Sequence, residues 1–180
     1  MEKCGNFLHL STATDDPEAP DPWVRFLNGK RGLHKVILYL VIGQWQVPWS
    51  FRIWRGKGHP TVNQLACKLL ATVPKKLSQR FTVIVLADTE FGTIEFLSAV
   101  RKRSWRAVVG MRCNRTLETG ETLALLYRRG KRGQQVYLRG ITFPLTVSWF
   151  LLKRADGKRD LRNARVYSSL LRSLSGALGA

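Results

Sequence analysis

Hydrophobic positions along the chain fall into two patterns, unbroken runs and periodic ones. Residues 81–87 are almost wholly apolar and rich in β-branched types, and residues 35–42 form a second such run. Runs of this kind suit strands covered on both faces, as in an α/β sheet. From Thr61 the period becomes helical: Val62, Leu65, Ala66, Leu69, Leu70 and Val73 share one face, and Pro74 ends the pattern. A second helix follows residue 92, with Thr93 as its N-cap and Ile94, Leu97 and Val100 on its apolar side. Val47, Trp49, Phe51 and Ile53 alternate with other residues. They predict a strand in an antiparallel hairpin with residues 35–42, close enough to the sheet edge to tolerate Pro48. Residues 6–13 predict a short first strand and residues 107–112 a fifth.

The intervening segments are polar or basic. Residues 14–22, TDDPEAPDP, are acidic and broken by prolines, and read as a solvated linker or a second acidic site. Residues 23–34 carry an Asn28-Gly29 turn signal and read as a loop over the sheet edge. Beyond Cys113, residues 114–133 include Arg128, Arg129, Lys131 and Arg132 among glycines, which predicts a solvated or anion-binding loop. Residues 134–139, 141–153 and 158–162 read as β, with turns at Arg139-Gly140 and Asp156-Gly157. The tail, VYSSLLRSLSGALGA, reads as a weak helix or a disordered end. The expected organisation is a core over residues 1–112, a small β-rich insertion over 113–162 and a divergent tail over 163–180.

Charge narrows the partner. Thirty Lys and Arg stand against 12 acids, a formal net charge of +18 on a chain that is 44% hydrophobic and so able to fold. Such a field favours a polyanion, nucleic acid before an anionic membrane surface. Cys4, Cys67 and Cys113 form no CxxC pair and His9, His34 and His59 are scattered, which excludes the usual zinc spacings and points to a reducing compartment. No window reaches the roughly 18 apolar residues of a membrane span. The expectation is a soluble cytoplasmic protein associated with the nucleoid.

The candidate chemistry gathers at Asp88, where the run at residues 81–87 ends and a turn through Glu90 and Gly92 begins. An acid at the carboxyl end of a central strand either caps the βα loop or lies where ligands of open α/β sheets collect. The order β-β-β-α-β-α-β is that of an RNase H-like mixed sheet, in which the first and fourth strands lie parallel and adjacent. Acids at both strand ends would then share a site suited to Mg2+ or Mn2+. Two such ions, roughly 3.5–4 Å apart, serve phosphodiester displacement. The cations expected to hold DNA are Arg55, Lys57, Arg101, Lys102, Arg103, Arg106, Arg112 and Arg115, with Trp105 suited to stacking.

The passages FLNGKRGLHKVILYLV, PWSFRIWRGKGHPTVNQLACKLL, RFTVIVLADTEFGTIEFL, RAVVGMRCNRTL and GQQVYLRGITFPLTVSWFLLKRADGK resemble bacterial insertion-sequence transposases of the DDE superfamily, in the branch with a late β-rich insertion. The resemblance implies cleavage and strand transfer in DNA transposition, with double-stranded DNA (transposon ends and target) as substrate and a possible homodimer as the working form. It makes Asp88 the second acid of the triad. The first is Asp15, with Asp16 as the alternate, although the motif reads Thr14-Asp15-Asp16-Pro17 where the family has Thr after its acid. The third acid belongs to a Tyr-x2-Arg-x3-Glu-x6-Lys signature that this chain lacks after Lys158, so a truncated fragment is expected. Two other readings stand beside this one: a non-enzymatic basic nucleic-acid-binding protein, and a nuclease using Asp15, Asp88 and Glu90 or Glu95.

Overall fold

The computed structural model describes residues 6–15, 24–27, 30–129, 133–150 and 165–169. Nine strands make one mixed sheet. Three of them open the chain: β1 (Asn6–Asp15), β2 (Val24–Leu27) and β3 (Lys30–Ile42). A tight turn with Gly43 at φ +58° leads to β4 (Trp45–Ile53). Then come helix α1 (Val62–Thr72), the short α2 (Lys75–Arg80), strand β5 (Val83–Ala87), helix α3 (Ile94–Lys102) and strand β6 (Arg106–Met111). Helix α4 (Leu123–Arg128) and strands β7 (Gln134–Val136), β8 (Leu145–Phe150) and β9 (Arg165–Ser169) complete it. The strand order is β2-β3-β1-β5-β6-β9-β8-β7, with β4 also paired to β3. Strands β1, β5 and β6 run parallel to one another, and β1 pairs antiparallel with β3. This is an RNase H-like mixed sheet carrying an additional β-hairpin, β7–β8, toward the C-terminus.

One face of the sheet builds the core. Leu8 and Leu10 of β1 lie opposite Leu40 and Leu38 of β3 on one side and Val85 and Ala87 of β5 on the other, and all but the half-buried Leu40 are buried. Helices α1 and α3 cover this face with Leu69, Leu70, Phe96, Leu97 and Val100, each fully buried. Burying a side chain of this size contributes about 1.5–3 kcal/mol, so the periodicity of α1 is what fixes it on the sheet. Thr61 starts α1 with a capping box: its hydroxyl accepts from the Gln64 N–H, and the Gln64 side chain accepts from the Thr61 N–H.

Several elements depart from the sequence reading. Residues 24–27 are not loop but strand, paired Leu27↔Lys30 through Val24↔Leu33 with an extended β3; an Asn-Gly pair between short strands is the strongest hairpin signal, and it outweighs the basic residues around it. Pro74 ends α1 yet serves as N-cap of α2, since proline is tolerated at a helix start. Within the basic stretch after Cys113, Leu123 and Leu126 bury one face of α4. There Arg129 forms a paired, exposed ion bridge to Glu121 at 2.7 and 3.1 Å. In the tail, residues 165–169 form β9, which enters the sheet between β6 and β8. Residues 158–162 and 170–180 lie outside the described residues.

Candidate functional site

Strand β5 delivers Asp88 to the carboxyl end of the sheet, as its apolar run predicts. The side chain is exposed, and its Oδ1 accepts the Glu90 N–H at 2.9 Å, capping the single 3-10 turn Thr89–Phe91. The capping role is therefore present, and it engages one carboxylate oxygen. Phe91 anchors the turn in the core, tilted against Phe96 with ring centroids 5.5 Å apart. Asn63 of α1 ties the loop from the side. Its amide donates to the Glu90 carbonyl at 3.1 Å and its Oδ1 accepts from the Thr93 hydroxyl at 2.8 Å. Thr93 in turn caps α3 through the Phe96 N–H, and Arg115 donates to the Gly92 carbonyl. Glycines allow the loop to lie against β6: a Cβ on Gly92 would stand 2.6 Å from the Gly110 carbonyl oxygen.

An open cleft of about 790 Å³ adjoins this loop. Thr89, Glu90 and Thr93 line it together with Arg112, Arg115 and Arg139, while Asp88 stands next to Thr89 just outside the lining. The N-terminus of α3 opens on the same space, so backbone dipole and side-chain charge act together in favour of an anion. Arginine suits phosphate better than lysine does, because its planar fork engages two oxygens at once.

The structure divides the cations expected from the sequence between the two ends of the sheet. Arg112 and Arg115 line the cleft beside Asp88. Strand β4 runs antiparallel to β3 and hence in the direction of β1 and β5, so Arg55 and Lys57, which follow it, lie toward the same end. Helix α3 returns the chain to the opposite end, taking Arg101, Lys102 and Arg103 with it, and Arg106 begins β6 there, level with Ile84. Arg101 packs over Phe143 and Arg103 over Trp105, at 5.8 and 4.9 Å from the ring centroids. Trp105 is only 2% exposed. It belongs to the core, which overturns the expectation that it stacks on a nucleotide.

Asp15 is the last residue of β1, opposite Leu33. The parallel register of β1 and β5 ends at Leu10↔Ala87, so Ser11 is the β1 residue level with Asp88. Asp15 lies four positions beyond Ser11, about 13 Å along an extended strand. Asp16 is outside the described residues. Glu95 is exposed in the first turn of α3. Among the described residues no three His, Cys, Asp or Glu side chains are grouped to hold a metal ion.

Asn63 and Arg139 were not singled out from the sequence. Each reaches the site from an element distant in the chain, and only the turn at Arg139-Gly140 hinted at a constrained position. Cys67 and Cys113 are half-buried and not in disulfides. Burial, with a lesser contribution from the charge of Glu95, pushes the Cys67 thiol pKa up, away from reactivity. No helix among the described residues is long and apolar enough to cross a membrane.

No protein-family model and no curated protein matches this chain. Among solved structures, a chain of the piggyBac transposase synaptic complex with hairpin DNA, determined by cryo-EM, aligns over 90% of it at a TM-score of 0.50 and 14% identity. That likeness is one of fold. The aligned region spans 32% of the piggyBac chain, about a third of its length.

Proposed function

We infer that this chain is a DNA-processing module of transposase type, which holds the phosphodiester backbone of double-stranded DNA against the carboxyl end of its central strands. The observation that carries the reading is the three-arginine cleft beside Asp88 on an RNase H-like sheet. The likeness of fold to a transposase and the net charge of +18 support it. In this reading Arg112, Arg115 and Arg139 bind phosphate, Arg55 and Lys57 extend the contact along the same end, and Asp88 offers its free carboxylate oxygen to Mg2+ or Mn2+. Strand cleavage and transfer need further carboxylates, from Asp15 with its neighbours or from outside the described residues.

A second reading, binding without cleavage, is favoured by the position of Asp15, four residues past the level of Asp88. One experiment addresses both. Duplex DNA binding is followed by fluorescence anisotropy from about 50 to about 200 mM salt, and cleavage is assayed with Mn2+ on the same duplex. Affinity falling by orders of magnitude over that range is expected of a protein neutralising several phosphates; salt-independent binding overturns both readings. Cleavage that disappears in Asp88→Asn supports the enzyme, and binding with no cleavage supports the second reading.

A further inference from the structure

The cleft beside the Asp88 loop is lined by no aromatic residue, and three of the exposed aromatic side chains, Trp45, Trp49 and Phe51, belong to β4. Trp45, Val47 and Trp49 are 69, 50 and 43% exposed, an apolar strip unusual for an edge strand, while Phe51, 55% exposed, pairs with Ile37 and so stands on the other face of the sheet. Beside the strip runs an open groove of about 920 Å³, between β4 and the start of α1. Trp49 lines it together with Arg52, Arg55 and His59. No carboxylate is among its lining residues, and between Asp21 and Asp88 the sequence contains no acid at all.

The backbone presents Trp49 deliberately. Register passes from Leu38↔Ser50 to Tyr39↔Pro48, so Trp49 is the extra residue of a β-bulge, a device that re-aims a side chain at a strand edge. Its indole N–H donates to the Thr72 hydroxyl at 3.2 Å, which fixes the ring against the end of α1. A ring already held in place loses little entropy when a partner stacks on it. A second protein strand is the less suitable occupant, because Pro48 has no N–H to donate and the bulge twists the edge away.

We propose that this groove takes unpaired nucleotides of a single DNA strand, with a base stacked on Trp49 and phosphates held by Arg52 and Arg55. The proposal rests on the nucleic-acid reading above and adds to it a second surface with a different preference. Bases within a duplex have their faces already stacked, whereas every unpaired base offers one; aromatic rings interleaved with cations are the chemistry that binds single strands with little regard to sequence. Arg55 lines the groove and follows β4 at the end of the sheet toward which β5 carries Asp88, so the two surfaces share that end.

The test measures anisotropy of a labelled oligothymidylate and of a labelled duplex of equal length, with the full chain and with Phe51→Ala, Trp49→Ala and Arg52→Ala. Arg52 is exposed, so its variant folds even if loss of the Trp49 hydrogen bond harms the other; circular dichroism checks each. The expected result is a loss of about tenfold in single-strand affinity for Trp49→Ala and a smaller one for Arg52→Ala, with duplex affinity unchanged and Phe51→Ala, on the other face, like the wild type. Equal losses on both DNAs, or no loss on either, for Trp49→Ala and Arg52→Ala overturn the proposal. If the wild-type chain binds duplex and not oligothymidylate, the groove is not a single-strand site and the wider reading stands; if it binds neither, the wider reading fails. A change in sedimentation of Trp49→Ala from dimer to monomer, with DNA binding intact, assigns the strip to self-association and likewise overturns it.

Discussion

Gly110 and Thr89 touch backbone to backbone: a Cβ on Gly110 would stand 2.8 Å from the Thr89 nitrogen and 3.1 Å from the Asp88 carbonyl carbon. The acid-bearing turn therefore rests on β6 with no space for one methyl group between them. Gly110→Ala is expected to destabilise the chain by about 1–3 kcal/mol, the usual range for overpacking a rigid contact. Urea denaturation measures the loss. Two of the three obstructing atoms are main chain and cannot rotate aside, the third being the Thr89 Cγ2 methyl at 2.9 Å, and exchange of the amides at Thr89 to Gly92 should quicken with the substitution.

Asp88 both caps a turn and carries a charge, and two substitutions separate these. Asparagine caps as well as aspartate, so Asp88→Asn should keep stability within about 0.5 kcal/mol, while Asp88→Ala should lose about 1 kcal/mol with the Glu90 hydrogen bond. Mn2+ affinity, read by calorimetry, should fall in both. A fall only in the alanine variant would tie it to loop order instead of charge.

The two ends of the sheet should respond differently to charge removal. Arg112→Ala and Arg139→Ala are each expected to lower the salt dependence of duplex binding by about one phosphate contact. Arg101→Ala and Lys102→Ala, at the far end, should leave it unchanged. Slopes of log affinity against log salt for the four variants decide the matter.

Burial lowers the pKa of His34 from its ordinary value of 6.5. The ring packs edge-on against Trp54, with centroids 5.6 Å apart. The folded chain thus holds the imidazole neutral at a pH where the unfolded chain already binds a proton. Its contribution to stability is complete above pH 6.5 and is lost as pH falls through the lowered folded pKa. Thermal unfolding between about pH 7.5 and about pH 5 should show this decline, and His34→Phe should flatten part of it.

The elements read correctly from sequence are those whose side chains announce their own environment. The run that forms β5 and the spacing of Val62, Leu65 and Leu69 in α1 each satisfy a local rule, and the sheet order follows from their succession. Strand β9 was not legible, because RVYSS owes its conformation to strands on either side of it. Tryptophan was misread for the same reason. Trp105 stands among arginines in the sequence and is buried in space. Asp88 was visible because strand ends are punctuated locally; Asn63 and Arg139 were not, because their partners lie far along the chain.

Within the described sheet, β7 and β8 reach the central strands through β9 alone: β8 pairs only with β7 and β9, and β9 pairs with β6. During synthesis the hairpin is therefore made before the strand that docks it. Until residue 169 has emerged, β6 remains an open edge and the β7–β8 pair has no place in the sheet. Folding of this half must wait for the end of the described chain, through pairings of high sequence separation that form slowly. Ribosome-bound intermediates of this protein would expose that edge to whatever strand or chaperone is nearest.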